Sequence, residues 1–368
     1  MQQLTVWRVL STPTGYFPKN LANANGMARI GLIGCGIWGR NLARNLSQLG
    51  ALVSVADRNV ENAAAFADEF GGKADSIDAV LDQHDLNGII VATPAFTHAD
   101  MACRALAAGR HVYVEKPLAM SLDEAGRIAA AAKSAGRMVM VGHLIRYHQA
   151  FITLQQEIAA GTIGTLRHVM AHRLAMGRIR SNESVIHDLC PHDASLLLAL
   201  MGSEPTSISC AGASHVTPGI IDHVTAMFAF SGARTAAMNV SWIAPYKEHR
   251  LTAIGSTGSI VFDDSRPWAE KLTLFRDDIQ RSGDGFSISR SDPAFLPVAE
   301  SEPLKQEVAT FIDCCDNGHV PTTDLTEAMA VQRVLEQMHI SISSYGRTER
   351  NPEDASGSTT ATKETLTA

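Results

Sequence analysis

The segment Ile33-Gly34-Cys35-Gly36-Ile37-Trp38-Gly39 narrows the possible folds of this chain more than any other. Three glycines at that spacing, between an apolar run and an amphipathic one, suit a tight turn from strand to helix. Gly34 permits the reversal, Gly36 lets backbone approach a bound group, and Gly39 lets the helix pack closely on the strand. The helix start then offers unpaired N–H groups and a partial positive charge to an anion such as a dinucleotide pyrophosphate. A lone motif of this kind is common by chance, so its context carries the weight. Here it follows an apolar run at 29–33, opens a helical stretch at 38–48, and is answered by Asp57 at the end of the next run, 52–56. Asp57 accepts hydrogen bonds from ribose hydroxyls and repels a 2′-phosphate, which favours NAD over NADP. Arg58 is the neighbour able to accommodate that phosphate. The expected cofactor contacts are therefore Gly34, Cys35, Gly36, Ile37, Trp38, Gly39, Asp57 and Arg58.

Apolar runs at 29–33, 52–56, 88–92, 111–114 and 138–141 alternate with helical stretches at 38–48, 61–70, 98–108 and 122–135. Continuous Ile/Val runs separated by helices predict a parallel sheet covered on both faces, a doubly wound domain with its ligand at the carboxyl ends of the strands. Beyond Gly142 the texture changes. A linking helix is expected at 146–160, a strand at 164–174 and a helix at 188–201. Strands at hairpin spacing follow at 206–213, 223–230, 234–242, 248–254, 259–262 and 271–275. This predicts a second, α+β domain with a large, mainly antiparallel sheet, closed by helices at 304–317 and 325–344. The expected division is a leader at 1–26, a Rossmann domain at 27–145, an α+β domain at 146–345 and a disordered tail at 346–368. Met27 is a second candidate start.

A formal net charge of −7 speaks against nucleic-acid binding, which favours a basic stripe. No apolar run reaches the roughly 18 residues of a membrane span. The six cysteines lack C-x-x-C spacing and read as reduced thiols of a cytoplasmic protein.

Ala92-Thr93-Pro94 ends one predicted strand, with His98 close behind; Thr93, Pro94 and His98 are expected near the cofactor's centre, although Pro94 serves equally well as a helix-starting breaker. Glu115-Lys116-Pro117 ends another strand at the same edge. Oxidation of an alcohol needs a base for the hydroxyl proton and a donor that holds the oxygen. Lys116 can donate to that oxygen or relay its proton, with Glu115 beside it; the competing reading is a solvated strand end. In the second half, His187-Asp188-Leu189-Cys190-Pro191-His192-Asp193 opens a helix. Proline is tolerated only in the first turn, which makes Asp188 the natural N-cap and places His192 one turn further on the same face. The helix dipole favours a neutral imidazole there, the form a general base requires. Asp188 then orients the imidazole or holds a sugar hydroxyl; the competing reading is that Asp188 only caps the helix and His192 only packs, partly buried. Zinc on His187, Cys190 and His192 lacks a fourth ligand and the usual spacing, so no metal is expected. His143, Arg146 and Tyr147 are expected to border the cleft. Arg173, Arg178 and Arg180 suit a phosphate or carboxylate, or a solvated loop.

Taken together, Gly34-Cys35-Gly36-Ile37-Trp38-Gly39, Ala92-Thr93-Pro94, Glu115-Lys116-Pro117 and Asp188…His192 stand in an order that resembles the Gfo/Idh/MocA oxidoreductases, over about residues 29–345. The resemblance implies a Rossmann domain followed by a domain whose open sheet joins subunits into a homodimer or homotetramer. It also implies a substrate-contacting or catalytic Lys116 and an acid–base His192. The segments at 141–147, 188–193, 241–247 and 261–264 are similar to a narrower branch of UDP-N-acetylamino sugar and uronic acid 3-dehydrogenases in surface-polysaccharide synthesis. That branch often has Asn-Pro-Ala where this chain has His148-Gln149-Ala150. What the resemblance implies is NAD-dependent oxidation of a nucleotide-linked sugar at C3. Oxidation of an inositol or a free sugar, an NAD-using glycosidase and a non-catalytic NAD-binding regulator are the alternatives.

Overall fold

In the computed structural model, which describes residues 27–345, the apolar runs of the first half form a six-stranded parallel sheet. Its strands are β1 (Ile30–Ile33), β2 (Leu52–Ala56), β3 (Lys73–Asp75), β4 (Gly88–Val91), β5 (His111–Val114) and β6 (Val139–Val141), in the order β3-β2-β1-β4-β5-β6. The strand order switches sides between β1 and β4, which opens the ligand crevice expected of this topology. Helices α1 (Ile37–Gln48), α2 (Val60–Phe70), α3 (Ile77–Asp82), α4 (His98–Ala107) and α5 (Leu122–Ala135) connect the strands. Strand β3 and helix α3 were not expected. The strand is three residues at the sheet edge, too short and too exposed to carry an apolar signature.

The second half begins with a 3₁₀ turn at Leu144–Tyr147 and α6 (Gln149–Ala159), where one linking helix was expected. His148 divides them and caps α6 by accepting from Ala150 N–H. Next come β7 (His168–Met176), α7 (Val185–Asp188), α8 (Cys190–Met201), β8 (Ser207–Ala213), β9 (His223–Ala229), β10 (Thr235–Ser241), β11 (Ile243–Ile254), β12 (Ser259–Asp263) and β13 (Leu272–Phe275). A small hairpin, β14 (Asp278–Ser282) with β15 (Gly285–Ser289), and the short β16 (Ala294–Phe295) precede α9 (Pro303–Asn317) and α10 (Leu325–Tyr345). The eight-stranded sheet runs β16-β13-β12-β11-β7-β10-β9-β8, antiparallel except where β7 lies parallel to β10. Leader and tail expectations fall on residues outside those described.

Three apolar cores result. On one face of the parallel sheet, Leu42 and Leu46 of α1 meet Phe311 and Ile312 of α9. On the other, Ala102 and Leu106 of α4 meet Ile128 of α5. Beneath the large sheet, Val169, Phe228 and Trp242 pack on Leu197 of α8 and Val334 of α10. Helix α9 thus returns from late in the chain to cover the front sheet. The link after it bonds to the sheet edge too, through Val141 N–H to Thr323 O at 2.9 Å. Away from the helices, Met170, His172, Thr225 and Met227 of the large sheet are exposed or half-exposed.

Candidate active site

The glycine turn is built as its sequence requires. Gly34 has φ +111°, and a Cβ there would lie 2.5 Å from the Ala92 carbonyl. A Cβ on Gly39 would lie 2.1 Å from Gly34 O, so helix and turn touch only because it is absent. At Gly36 the same addition meets nothing within 4 Å: this is open space in front of the helix start. No side chain caps α1 and no acid occupies its first turn, which leaves its N–H groups free for an anion. Ile37 and Trp38 are exposed beside it. Asp57 Oδ2 accepts from Cys35 N–H at 2.7 Å and Oδ1 from Asn59 N–H at 2.8 Å, fixing the acid at the end of β2. Arg58 is exposed. The Cys35 thiol is pushed up to about 12 by burial and by Asp57, so Cys35 contributes backbone and not thiolate chemistry. This cradle fits a dinucleotide.

Thr93 and Pro94 lie at the carboxyl end of β4, and Thr97 Oγ donates to Pro94 O at 2.7 Å. His98, expected at the cofactor, has both ring nitrogens engaged by backbone carbonyls. The ring is fully buried, with Nδ1 2.7 Å from Pro117 O and Nε2 2.8 Å from Thr93 O. It braces two strand ends against each other. Glu115 is buried, contrary to the solvated reading. Its Oε1 accepts from Trp38 Nε1 at 2.5 Å and Tyr113 OH at 3.0 Å, and Oε2 from Lys116 N–H at 3.2 Å. Burial raises its carboxyl even against Trp38 and Lys116. Glu115 therefore ties the start of α1 to the strand that carries the lysine.

Lys116, which precedes a cis peptide bond to Pro117, reaches across to the second half. Its Nζ donates to Asp188 O at 2.5 Å and Asp188 Oδ1 at 3.0 Å. The expected N-cap role of Asp188 is corrected here. Asp188 ends the single turn of α7, Leu189 holds the junction, and α8 starts at Cys190. The carboxylate has better partners at long range: Lys116 and Arg180 on Oδ1, and Trp242 Nε1 on Oδ2 at 3.1 Å. Burial pushes this carboxyl up, but Lys116 and Arg180 outweigh it and hold it below the usual range. His192 lies in the first turn of α8, half-buried, with Nδ1 buried and unpartnered. Burial, then Lys116 and Arg173, depress its pKa far below the ordinary value, so the imidazole is neutral. Lys116 is thus close enough to His192 for its charge to act on the imidazole.

Other expected substrate contacts have protein partners of their own. Arg173 pairs through two hydrogen bonds with Asp193, at 3.0 and 2.7 Å, and both are buried. His143 Nδ1 lies 2.7 Å from Glu327 Oε2, and Arg146 lies 3.5 Å from Oε1 of the same carboxylate. Tyr147 is buried with its hydroxyl 3.0 Å from Thr323 Oγ. These three tie the turn at Leu144–Tyr147 to the α9–α10 region, and the His143 ring also acts on His192. Glu327 and Thr323 carried no sequence signal. Trp242 did, inside the 241–247 segment, but no role had been assigned to it. Among the described residues, no three His, Cys, Asp or Glu side chains are placed to share a metal ion; His187 stacks on His339 with ring centroids 4.8 Å apart.

Comparison with known proteins agrees with this architecture. The model of the GFO/IDH/MocA oxidoreductase family, NAD-binding Rossmann fold, matches residues 28–143, and that of the GFO/IDH/MocA C-terminal domain matches residues 151–261. UDP-N-acetylglucosamine 3-dehydrogenase of Acidithiobacillus ferrooxidans is 34% identical over 225 residues, spanning 61% of this chain and 70% of that protein. The NAD⁺-dependent scyllo-inositol 2-dehydrogenase of Bacillus subtilis is 29% identical over 314 residues, spanning 81% and 89%. A solved structure of the Acidithiobacillus enzyme superposes with a TM-score of 0.74 at 25% identity, over 87% of this chain and 98% of that one.

Proposed function

The chain belongs to the Gfo/Idh/MocA oxidoreductase family, and from that premise we propose that it oxidises a ring hydroxyl, at C3, of a nucleotide-linked sugar such as a UDP-N-acetylamino sugar or its uronic acid. The observation that carries this reading is the contact of Lys116, from the dinucleotide-binding half, with Asp188 of the other half, four residues before a neutral His192. NAD, when bound on the glycine turn, supplies the acceptor for hydride from the ring carbon. Lys116 holds the hydroxyl oxygen and stabilises charge that builds on it as the proton leaves. His192 takes that proton, and its neutrality across the ordinary pH range keeps it competent to do so. Asp188, gripped by Trp242 and Arg180, fixes where the Lys116 ammonium sits.

The 34% identity to a UDP-N-acetylglucosamine 3-dehydrogenase supports the nucleotide-sugar substrate, and the similarity to an inositol dehydrogenase supports a free polyol as the second reading. The half-exposed face of the large sheet supports assembly into a homodimer or homotetramer. Purified protein with NAD is expected to form NADH from UDP-N-acetylglucosamine or its uronic acid, and not from myo-inositol, glucose or N-acetylglucosamine. NADH formation from the free sugars or inositol alone would transfer the assignment to the second reading. A glycosidase that returns its hydride within each cycle would show none.

Asp57 supports NAD over NADP, because its carboxylate stands at the end of β2 against any 2′-phosphate. Asp57→Ala is expected to lower the ratio of kcat/KM for NAD to that for NADP by about tenfold, the worth of one screened charge contact. An unchanged ratio would show that Asp57 does not face the ribose.

A further inference from the structure

Strand β11 departs from its partner β7 at one place. Ile243 pairs with Met176 and Glu248 with Leu174, so Ala244, Pro245, Tyr246 and Lys247 stand opposite Ala175 alone. An insertion of this size throws the backbone out of the ladder and re-aims its side chains. Pro245, Tyr246 and Lys247 are exposed, Tyr246 to 58%. An aromatic ring and a cation set side by side in water do nothing for the core.

The position of this bulge is what makes it informative. It leaves the sheet just after Trp242, whose indole N–H holds Asp188, the partner of Lys116. Just beyond the end of β7, Gly177 N–H donates to Trp242 O at 2.8 Å, and exposed Arg178 follows. Among the described residues Arg178 and Lys247 have no ion-pair partner. The nearby acids are occupied: Glu183 with Arg180, and Glu248 with His172 and Arg250. Two residues along β11, about 7 Å at strand spacing, stands His249. Its imidazole is held down to about 4 by burial, then by Arg173 and Lys247, and its field reaches His192 in turn. The bulge is therefore anchored by Trp242 to the Asp188–Lys116 pair and carries an uncompensated positive charge with an exposed aromatic residue next to it in sequence. Those are the groups that suit an anomeric phosphate and the attached nucleoside.

We infer that the 244–247 bulge binds the nucleoside diphosphate end of the substrate, with Tyr246 stacking on the base and Lys247, together with Arg178, pairing with the diphosphate. The assignment rests on the nucleotide-sugar reading above and specifies how that substrate is told apart from a free sugar. Base stacking on an aromatic ring and charge pairing with phosphate are each strong enough to be seen singly.

UDP alone is the probe, titrated calorimetrically into the full-length protein, so that no turnover is needed. The unaltered protein is expected to bind it. Tyr246→Ala and Lys247→Ala are each expected to weaken that binding by about tenfold or more, with NAD affinity and thermal unfolding unchanged. Variants that bind UDP as the unaltered protein does, or an unaltered protein that does not bind it, would overturn the inference. Oxidation of UDP-sugars is read separately. Turnover with UDP affinity untouched by both substitutions removes the bulge assignment and leaves the dehydrogenase. UDP affinity lost in both variants, without NADH from any UDP-sugar, supports the bulge and removes the dehydrogenase reading.

Discussion

Lys116→Met is expected to lower kcat by about 10²–10⁴-fold, the usual worth of one positioned proton-handling group, with folding and NAD binding retained. The fold survives because Asp188 keeps Arg180 and Trp242 when the ammonium is gone, so no buried carboxylate is stranded. The pH profile separates this from general damage. Burial is the first cause of the depressed His192 pKa and the Lys116 charge the second. Removing a positive neighbour makes protonation of the imidazole easier, so its pKa rises. The acid limb of kcat/KM, set by loss of the neutral base, therefore moves to higher pH in the variant. Stopped-flow and steady-state NADH formation between pH 4.5 and 9 measure both effects. A variant with near-normal kcat, or with an acid limb that moves downward, contradicts the assigned role.

His192→Asn is the second large effect. It is expected to cost a similar 10²–10⁴-fold in kcat, with a different signature: the limb that Lys116→Met displaces is here abolished, leaving a flat acid side. Asn keeps a polar atom near the buried, unpartnered Nδ1 position, so thermal unfolding should change little. The double variant is expected to be hardly slower than either single one, since both act on one proton transfer. Multiplicative losses would place the two groups in separate steps.

The parts of this molecule that could be read in advance are those governed by local rules. Runs such as Gly88–Val91 and His111–Val114 announce buried parallel strands because both faces are covered. The glycine turn is legible because each glycine answers a separate steric demand. Lys73–Asp75 and the Asp278–Ser282 hairpin arm escaped because polar edge strands carry no apolar period. At the site, Lys116, Asp188 and His192 stood out by residue type. The partners that decide their chemistry did not, because they lie far away in sequence. Asp188 reads as a cap until Lys116 and Trp242 are known to reach it. His98 reads as a cleft residue until two backbone carbonyls are found on its ring. Arg173 reads as a substrate contact until Asp193 is seen to take the Nε–Nη2 edge of its guanidinium in a buried pair.

Helix α9 carries a consequence for how the polypeptide is made. Phe311 and Ile312 complete the apolar layer over β1, β4 and β5, yet they emerge from the ribosome long after those strands have been synthesised. The nascent front half must wait with Tyr113 and its neighbours unsheltered until the helix ending at Asn317 is released. The dinucleotide-binding sheet is thus covered only when a helix made much later in synthesis docks on it.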